Sequence, residues 1–216
     1  MHIKRKTIGN FWPVPRTGTK YMAVPTHECS SSLPLILVMR DLLEMVKSKK
    51  ELKKLLNEKQ ITINGKVIKE TNYPLMLYDS LTLPNAKKNY KIILDNKRFN
   101  VKEVSDNEIK TKTYRVIGKT QLPGKKIQIN LNCGKNIITN EKINTGEFLV
   151  VDNSSNKIKE VIALKKDVEV IVIAGKHIGK IGKIKDIVEQ GNIKIAQIKT
   201  KNEEINANIK NIYVKE

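Results

Sequence analysis

Acid is the scarce ingredient of this chain. Twenty-two Asp and Glu stand against 41 Lys and Arg in 216 residues, a formal net charge of +19. Cysteine is nearly absent: Cys29 and Cys133 lie far apart, there is no Cys-x-x-Cys, and the only histidines are His2, His27 and His177. A structural zinc site needs four clustered ligands, so no metal is expected. Two distant thiols build no disulfide framework and fit a reducing cytoplasm. The longest apolar run, LPLILVM at 33–39, falls far short of the ~20 residues that a membrane-crossing helix needs. MHIKRK at the start is charged, but no apolar stretch of 7–15 residues follows, so no secretion signal is expected. Aromatics make up 5% of the chain and include one tryptophan, Trp12.

What is present is cation. The excess is spread over every part of the chain: +4 in 1–32, +3 in 33–84, +9 in 85–165 and +3 in 166–216. Lys supplies 36 of the 41 cations; codon bias explains Lys over Arg but not the imbalance of sign. A surplus of this size raises the local potential toward polyanions and predicts salt-dependent binding to nucleic acid.

A glycine-rich stretch, VEVIVIAGKHIGKIGKI at 168–184, tests the alternative of a nucleotide enzyme. A P-loop needs four residues between its first Gly and a Gly-Lys-Ser/Thr, so that amides wrap the phosphates and a hydroxyl reaches Mg²⁺. Here three residues separate Gly175 from Gly179-Lys180, and Ile181 stands in place of the hydroxyl. The Rossmann spacing is missing too. Gly175, Gly179 and Gly182 instead suit a tight turn that lets backbone approach another chain, with Lys176, His177, Lys180 and Lys183 beside it.

Along the chain, 1–32 has three prolines and no apolar period, and it reads as an extended arm. Lys4, Arg5, Lys6, Arg16 and Lys20 flank Trp12 there. That ring is suited to stacking on a base or to packing the arm onto the protein's own core. Ser32-Leu33-Pro34 predicts a helix start, with Leu35, Val38, Met39, Leu42, Leu43 and Val46 at helical spacing. Ser48-Lys49-Lys50-Glu51 is a capping box for a second helix with Leu52, Leu55 and Leu56 as its buried stripe. Lys49, Lys50, Lys53 and Lys54 crowd its first turns, where the helix dipole disfavours cations; a phosphate partner would relieve them. Asn64-Gly65, between ITI and KVI, predicts a two-residue hairpin.

From 85 onward the pattern is strand-like. NYKIIL, RFNVKEV, EIKTKTYRVI, KKIQINL, EFLVV and KIKEVIAL predict one small β body; VEVIVI, KIGKIKDIV, IKIAQIK, EINANI and NIYVKE predict a second. Asp79 and Asp95-Asn96 read as turn residues. No nucleophile or acid–base pair is assembled in sequence, and none of the three histidines has a local partner, so no catalysis is expected. The expected architecture is therefore α+β and multi-domain. A basic arm (1–32) precedes a helix–helix–hairpin module (33–84), followed by β-rich, barrel-like domains at 85–165 and 166–216.

Three of these stretches resemble known modules. Residues 168–184 look like a KOW motif. Lys49 to Lys54 with Ile61-Thr62-Ile63-Asn64-Gly65-Lys66 resemble the S-four RNA-binding domain. With HIKR…WPVPR at 2–16 ahead of them, their order resembles the S4e family of archaeal and eukaryotic small-subunit ribosomal proteins. The resemblance implies a structural, cytoplasmic, ribosome-associated protein whose partners are small-subunit ribosomal RNA and neighbouring ribosomal proteins, with no cofactor and no small-molecule substrate. It implies RNA contact by Lys49, Lys50, Lys53, Lys54 and Lys66, by the arm through Lys4, Arg5, Lys6, Trp12, Arg16 and Lys20, and by the Lys176–Lys183 loop, which also suits a protein partner. Two positions depart from the pattern. Lys59 falls where such domains carry glycine, so a left-handed backbone there would cost about 1 kcal/mol. Glu28, in Thr26-His27-Glu28, would repel RNA at that point. The rival readings are a KOW-bearing transcription factor and an RNA-modifying enzyme or its non-catalytic RNA-binding subunit.

Overall fold

Strands, most of them short, dominate the regular structure of this chain, as its many period-two stretches predict. The computed structural model describes residues 3–9, 11–27, 31–95, 97–124, 126–153, 155–191, 193–200 and 203–215. His2, Glu28, Cys29 and Asn96 lie outside the described residues. The chain divides into two units, Met1–Lys110 and Thr111–Glu216. Helix is sparse and the strands form several sheets, so the fold is mostly β, in keeping with the β-rich part of the expected α+β architecture.

In the first unit β1 (Ile3–Lys4) pairs with β2 (Tyr21–Met22), and β3 (Leu33–Pro34) pairs with β6 (Pro74–Leu75). A five-stranded antiparallel sheet follows, built from β4 (Thr62–Ile63), β5 (Lys66–Val67), β7 (Ser80–Leu83), β8 (Lys88–Asp95) and β9 (Arg98–Glu103) in the order β5-β4-β7-β8-β9. Leu83 faces Lys88 in register, so the sheet runs straight through the expected domain boundary at 84/85.

The first helix is shorter and later than its sequence signals indicate. Ser32 is buried and lies ahead of the N-cap, which is Pro34; Leu33 and Pro34 are strand, and α1 (Leu35–Leu37) begins only after Pro34 at ψ 139°. It widens at once into a π-helical turn, Val38–Leu42, whose Leu43 amide bonds to the Val38 carbonyl at 3.0 Å. Glu44 then turns left-handed (φ 52°), so Val46 is buried from outside any helix.

Helix α2 (Lys49–Asn57) follows its signals closely. The Ser48 hydroxyl accepts from the Glu51 amide at 3.3 Å, and Glu51 reaches back to the Lys47 amide at 2.8 Å, one residue before the usual capping-box position. Leu52 and Leu56 are its buried face. At its end Lys59 is left-handed at φ 57°. The Gln60 amide bonds to Leu55 O and the Lys59 amide to Leu56 O, each at 3.0 Å, a Schellman closure that lysine occupies in place of glycine.

The second unit holds two five-stranded antiparallel sheets, reached after α3 (Asp106–Ile109) closes the first unit. β10 (Thr111–Gln121), β11 (Ile127–Leu131), β12 (Asn136–Thr139), β13 (Phe148–Asp152) and β14 (Ile158–Ile162) run in the order β12-β11-β10-β13-β14. β12 was not legible in the sequence. β10 pairs with β13 through its first half and β11 through its second, around a bulge between Val116 and Gly118. Tyr114, Val116, Ile129, Leu131, Leu149 and Val151 form the core beneath.

β15 (Glu169–Val172), β16 (Ile181–Gln190), β17 (Ile193–Lys199), β18 (Glu204–Asn208) and β19 (Ile212–Val214) run in the order β18-β17-β16-β15-β19. Among the described residues each of the two sheets is open in its strand pairing. Tyr213 ties the two together. Its hydroxyl donates to Thr113 O at 3.0 Å and accepts from Asn132 Nδ2 at 3.1 Å, while its ring meets Phe148 edge-on at 5.0 Å. Arg115 adds a 2.7 Å bond to Lys210 O, and burial pulls its pKa below the usual value.

Two glycine-related substitutions have opposite expected signs. Lys59→Gly relieves a left-handed side chain and should raise stability by about 0.5–1 kcal/mol in a thermal melt. At Gly182 a Cβ would stand 2.5 Å from Lys199 O on the neighbouring strand. Gly182→Ala should therefore lower stability by about 1–3 kcal/mol.

Candidate nucleic-acid interface

The densest cation cluster sits on α2. Lys49, Lys50, Lys53 and Lys54 are all exposed, and among the described residues none makes an ion pair or a side-chain hydrogen bond. The apolar stripe at Leu52 and Leu56 turns the opposite face inward, so the helix's own amphipathicity directs these ammonium groups to solvent. Lys49 and Lys50, in the first turn, oppose the dipole, whereas Lys54 lies in the last turn. The only acid in the first turn, Glu51, is occupied by its capping bond to Lys47 N.

Lys66 stands exposed on β5, directly after a hairpin turn with Asn64 and Gly65 at φ 50° and 76°. The turn is held from beneath. Asn64 Nδ2 donates to buried Asp79, Asn64 Oδ1 accepts from Ser80 N (3.0 Å) and Ser80 Oγ (3.1 Å), and Asp79 accepts from Met76 N at 2.5 Å. Asp79 is therefore the buried support of the hairpin, a role that its sequence neighbours do not reveal. Buried carboxylates persist only when satisfied in this way.

The arm is folded onto its own unit. Trp12 is 4% exposed, so its ring is enclosed by protein and presents no open face for a base. Phe11 stacks edge-on to Phe99 at 5.4 Å, and its carbonyl accepts from Phe99 N at 2.8 Å. Farther on, Thr26 Oγ1 donates to Glu70 at 2.9 Å and Thr26 N to Asn72 O at 3.1 Å. Arg5 is spent internally, with Nη1 on Pro15 O at 2.6 Å, Nε on Thr19 O at 2.8 Å and Nη2 on Thr19 Oγ1 at 3.1 Å. Lys4, Lys6, Arg16 and Lys20 are exposed, and Lys20 Nζ lies 5.3 Å from the Tyr21 ring centre.

In the second unit the glycine loop joins β15 to β16. Gly175 and Gly179 are left-handed, at φ 96° and 82°, while Gly182 serves strand approach instead. The mouth is latched by Gly179 N to Val172 O (2.8 Å) and Val172 N to Lys180 O (3.1 Å). Lys176 and Lys183 are exposed and His177 half-buried. Lys180 is not free: its Nζ lies 2.6 Å from Glu203. Lys185 likewise pairs with Glu204 at 2.8 Å. The lysine hydrogen bonds, more than their charges, pull both carboxyls below their usual pKa. These acidic partners, Glu204 on β18 and Glu203 just before it, were not singled out from sequence, because 23 residues separate Glu203 from Lys180 and 19 separate Glu204 from Lys185.

Among the described residues no group of three or more His, Cys, Asp or Glu is placed to hold a metal, and no helix is long and apolar enough to cross a membrane.

Comparison with known proteins gives a consistent result. The model of ribosomal family S4e matches residues 86–158. Small ribosomal subunit protein eS4 of Methanocella arvoryzae is 32% identical over 190 residues, covering 86% of this chain and 80% of that protein. The eS4 protein of Nanoarchaeum equitans is 30% identical over 193 residues, covering 87% and 82%. The crystal structure of 30S ribosomal protein S4e from Thermoplasma acidophilum shares the fold at a TM-score of 0.73 and 20% identity, covering 85% of this chain and 94% of that one.

Because the Trp12 ring is enclosed, Trp12→Ala should act on the fold. The expected loss is about 3–5 kcal/mol, read as a lowered melting temperature without any RNA present. An unchanged melt would place the ring's role outside the fold.

Proposed function

The chain belongs to ribosomal family S4e, and from that premise we propose that it is a structural constituent of the small ribosomal subunit, bound to ribosomal RNA and acting in translation. The role is architectural: the protein binds and shapes RNA and turns over no substrate. Its partners are small-subunit ribosomal RNA and the ribosomal proteins beside it, and its place is on the cytoplasmic ribosome.

The observation that carries this reading is the α2 cluster. Four exposed lysines crowd the nine residues of α2, two of them, Lys49 and Lys50, in its first turn against the dipole, with no acid partner among the described residues. A surface of this kind is destabilising in isolation and relieved by polyphosphate, whose neutralisation releases condensed counterions. Lys66, on the buttressed hairpin, extends the set. In the arm Lys4, Lys6, Arg16 and Lys20 supply contacts to phosphate, while Arg5 and Trp12 keep the arm in shape. Lys176, His177, Lys180 and Lys183 of the KOW-like loop complete the proposed RNA-facing residues.

We assign these surfaces to a basic arm, a helix–helix–hairpin module and two β bodies. The hairpin module extends past residue 84, since its sheet continues to Glu103. Each part supplies a small rigid platform for its cations.

Reversing Lys49, Lys50, Lys53 and Lys54 to Glu should weaken binding to small-subunit ribosomal RNA steeply. The slope of log K against log[salt] should become shallower by about 3. The melting temperature should hold or rise slightly, because the four side chains are exposed and glutamate in the first turn suits the helix dipole. Unchanged RNA affinity and unchanged incorporation into small subunits would overturn the assignment.

A further inference from the structure

The two ends of this chain treat their lysines differently. On α2 the cations stand open, whereas the C-terminal body neutralises its own. Lys166–Asp186, Lys180–Glu203, Lys185–Glu204, Lys194–Glu189 and Lys215–Glu169 all lie within 2.5–3.2 Å. Two of these pairs are adjacent and lie at the glycine loop. Glu203 is held in place by Thr200, whose N and Oγ1 both donate to its carbonyl. Glu204 opens β18, the outer strand of its sheet, so both carboxylates stand at an exposed edge.

A row of charge continues inward from that edge. Glu204 faces Lys199, Lys199 faces Lys183, and Lys183 faces Glu169 in successive registers. Lys183 and Lys199 are exposed and, among the described residues, make no ion pair within 4.0 Å. The loop edge thus carries open lysines at 183 and 199 and carboxylate-held lysines at 180 and 185. A carboxylate and a phosphodiester offer an ammonium the same thing, an anionic oxygen acceptor, and lysine accepts either as a point charge.

We propose that Glu203 and Glu204 are built-in phosphate surrogates: they hold Lys180 and Lys185 in a closed row that an RNA phosphodiester opens by displacing them. The inference rests on the RNA-binding reading above and adds to it. Each displaced carboxylate takes up a solution cation as the RNA sheds one, so a closed pair contributes little net counterion release. The C-terminal body is thereby kept from adhering to any polyanion it meets. It engages only where RNA already held by the open α2 cluster presents phosphate at this edge.

The test uses the full chain and a single-stranded uridine oligomer, with affinity measured across a salt series. E203Q/E204Q should bind several-fold more tightly, with a salt slope steeper by about 1.4, near 0.7 for each freed lysine. E189Q opens the Lys194 pair, removing one like charge about 20 Å along the same hairpin from the loop edge. It should gain much less, which separates placement from net charge. Adding K180Q and K185Q to E203Q/E204Q should abolish the gain. If E203Q/E204Q binds as the parent does, or E189Q gains as much per charge, the surrogate role is wrong. The RNA reading survives that result provided reversal of the α2 lysines still weakens binding. If neither set alters affinity, the RNA reading itself fails, and a protein partner for the loop edge takes its place.

Discussion

A chain with 41 cations has one overriding constraint: almost every ammonium must stay wet or be given an anion, because an isolated buried charge is far too costly. The architecture follows from that requirement. Thin antiparallel sheets bury alternate residues and leave the others in water, so each body has a core without hiding its lysines. β16 and β17 illustrate this, with Ile184, Ala196 and Ile198 buried while Lys183, Lys185 and Lys199 remain exposed. The exceptions are compensated. Lys91, 9% exposed, reaches Glu108 O at 3.4 Å and lies 5.7 Å from the Tyr78 ring centre. Lys112, fully enclosed, sits 4.7 Å from the ring centre of Tyr114.

The same constraint makes the ends of elements the chemically interesting places. α2 buries one stripe and offers the rest of its circumference to solvent, which concentrates four ammonium groups within two turns. The glycine loop brings the backbone of one hairpin close to its neighbours while holding its lysines at the rim. In both cases the rigid support lies underneath: Leu52 and Leu56 below the helix, and the Val172–Gly179 latch below the loop.

Local signals were legible in the sequence wherever a short-range rule decides the geometry. Asn64-Gly65 fixes a turn because both residues tolerate positive φ, and Ser48 with Glu51 fixes a helix start through local hydrogen bonds. Strand alternation located most members of the two C-terminal sheets. What could not be read depends on partners distant in sequence. Pro34 looks like a helix opener, yet its pairing with Pro74 forty residues on makes it strand. The boundary at 84 dissolves because β7 and β8 form a hairpin across it. Asn136–Thr139 is too short and polar to be read as a strand until β11 supplies its register. Asp79 and Glu203 gain their roles only through Asn64 and Lys180. The family match falls at 86–158, in the stretch where the sequence offers strands but no short motif.

The way Arg5 is held has a consequence for how fast this molecule lets go of what it binds. A guanidinium clamped on the carbonyls of residues 15 and 19 freezes the arm's bends in advance. A segment ordered beforehand forfeits no chain entropy at the moment of association, whereas a floppy tail surrenders a kilocalorie or so for each residue it immobilises. For a molecule meant to remain in an assembly through many rounds of work, that difference is felt mainly as residence time.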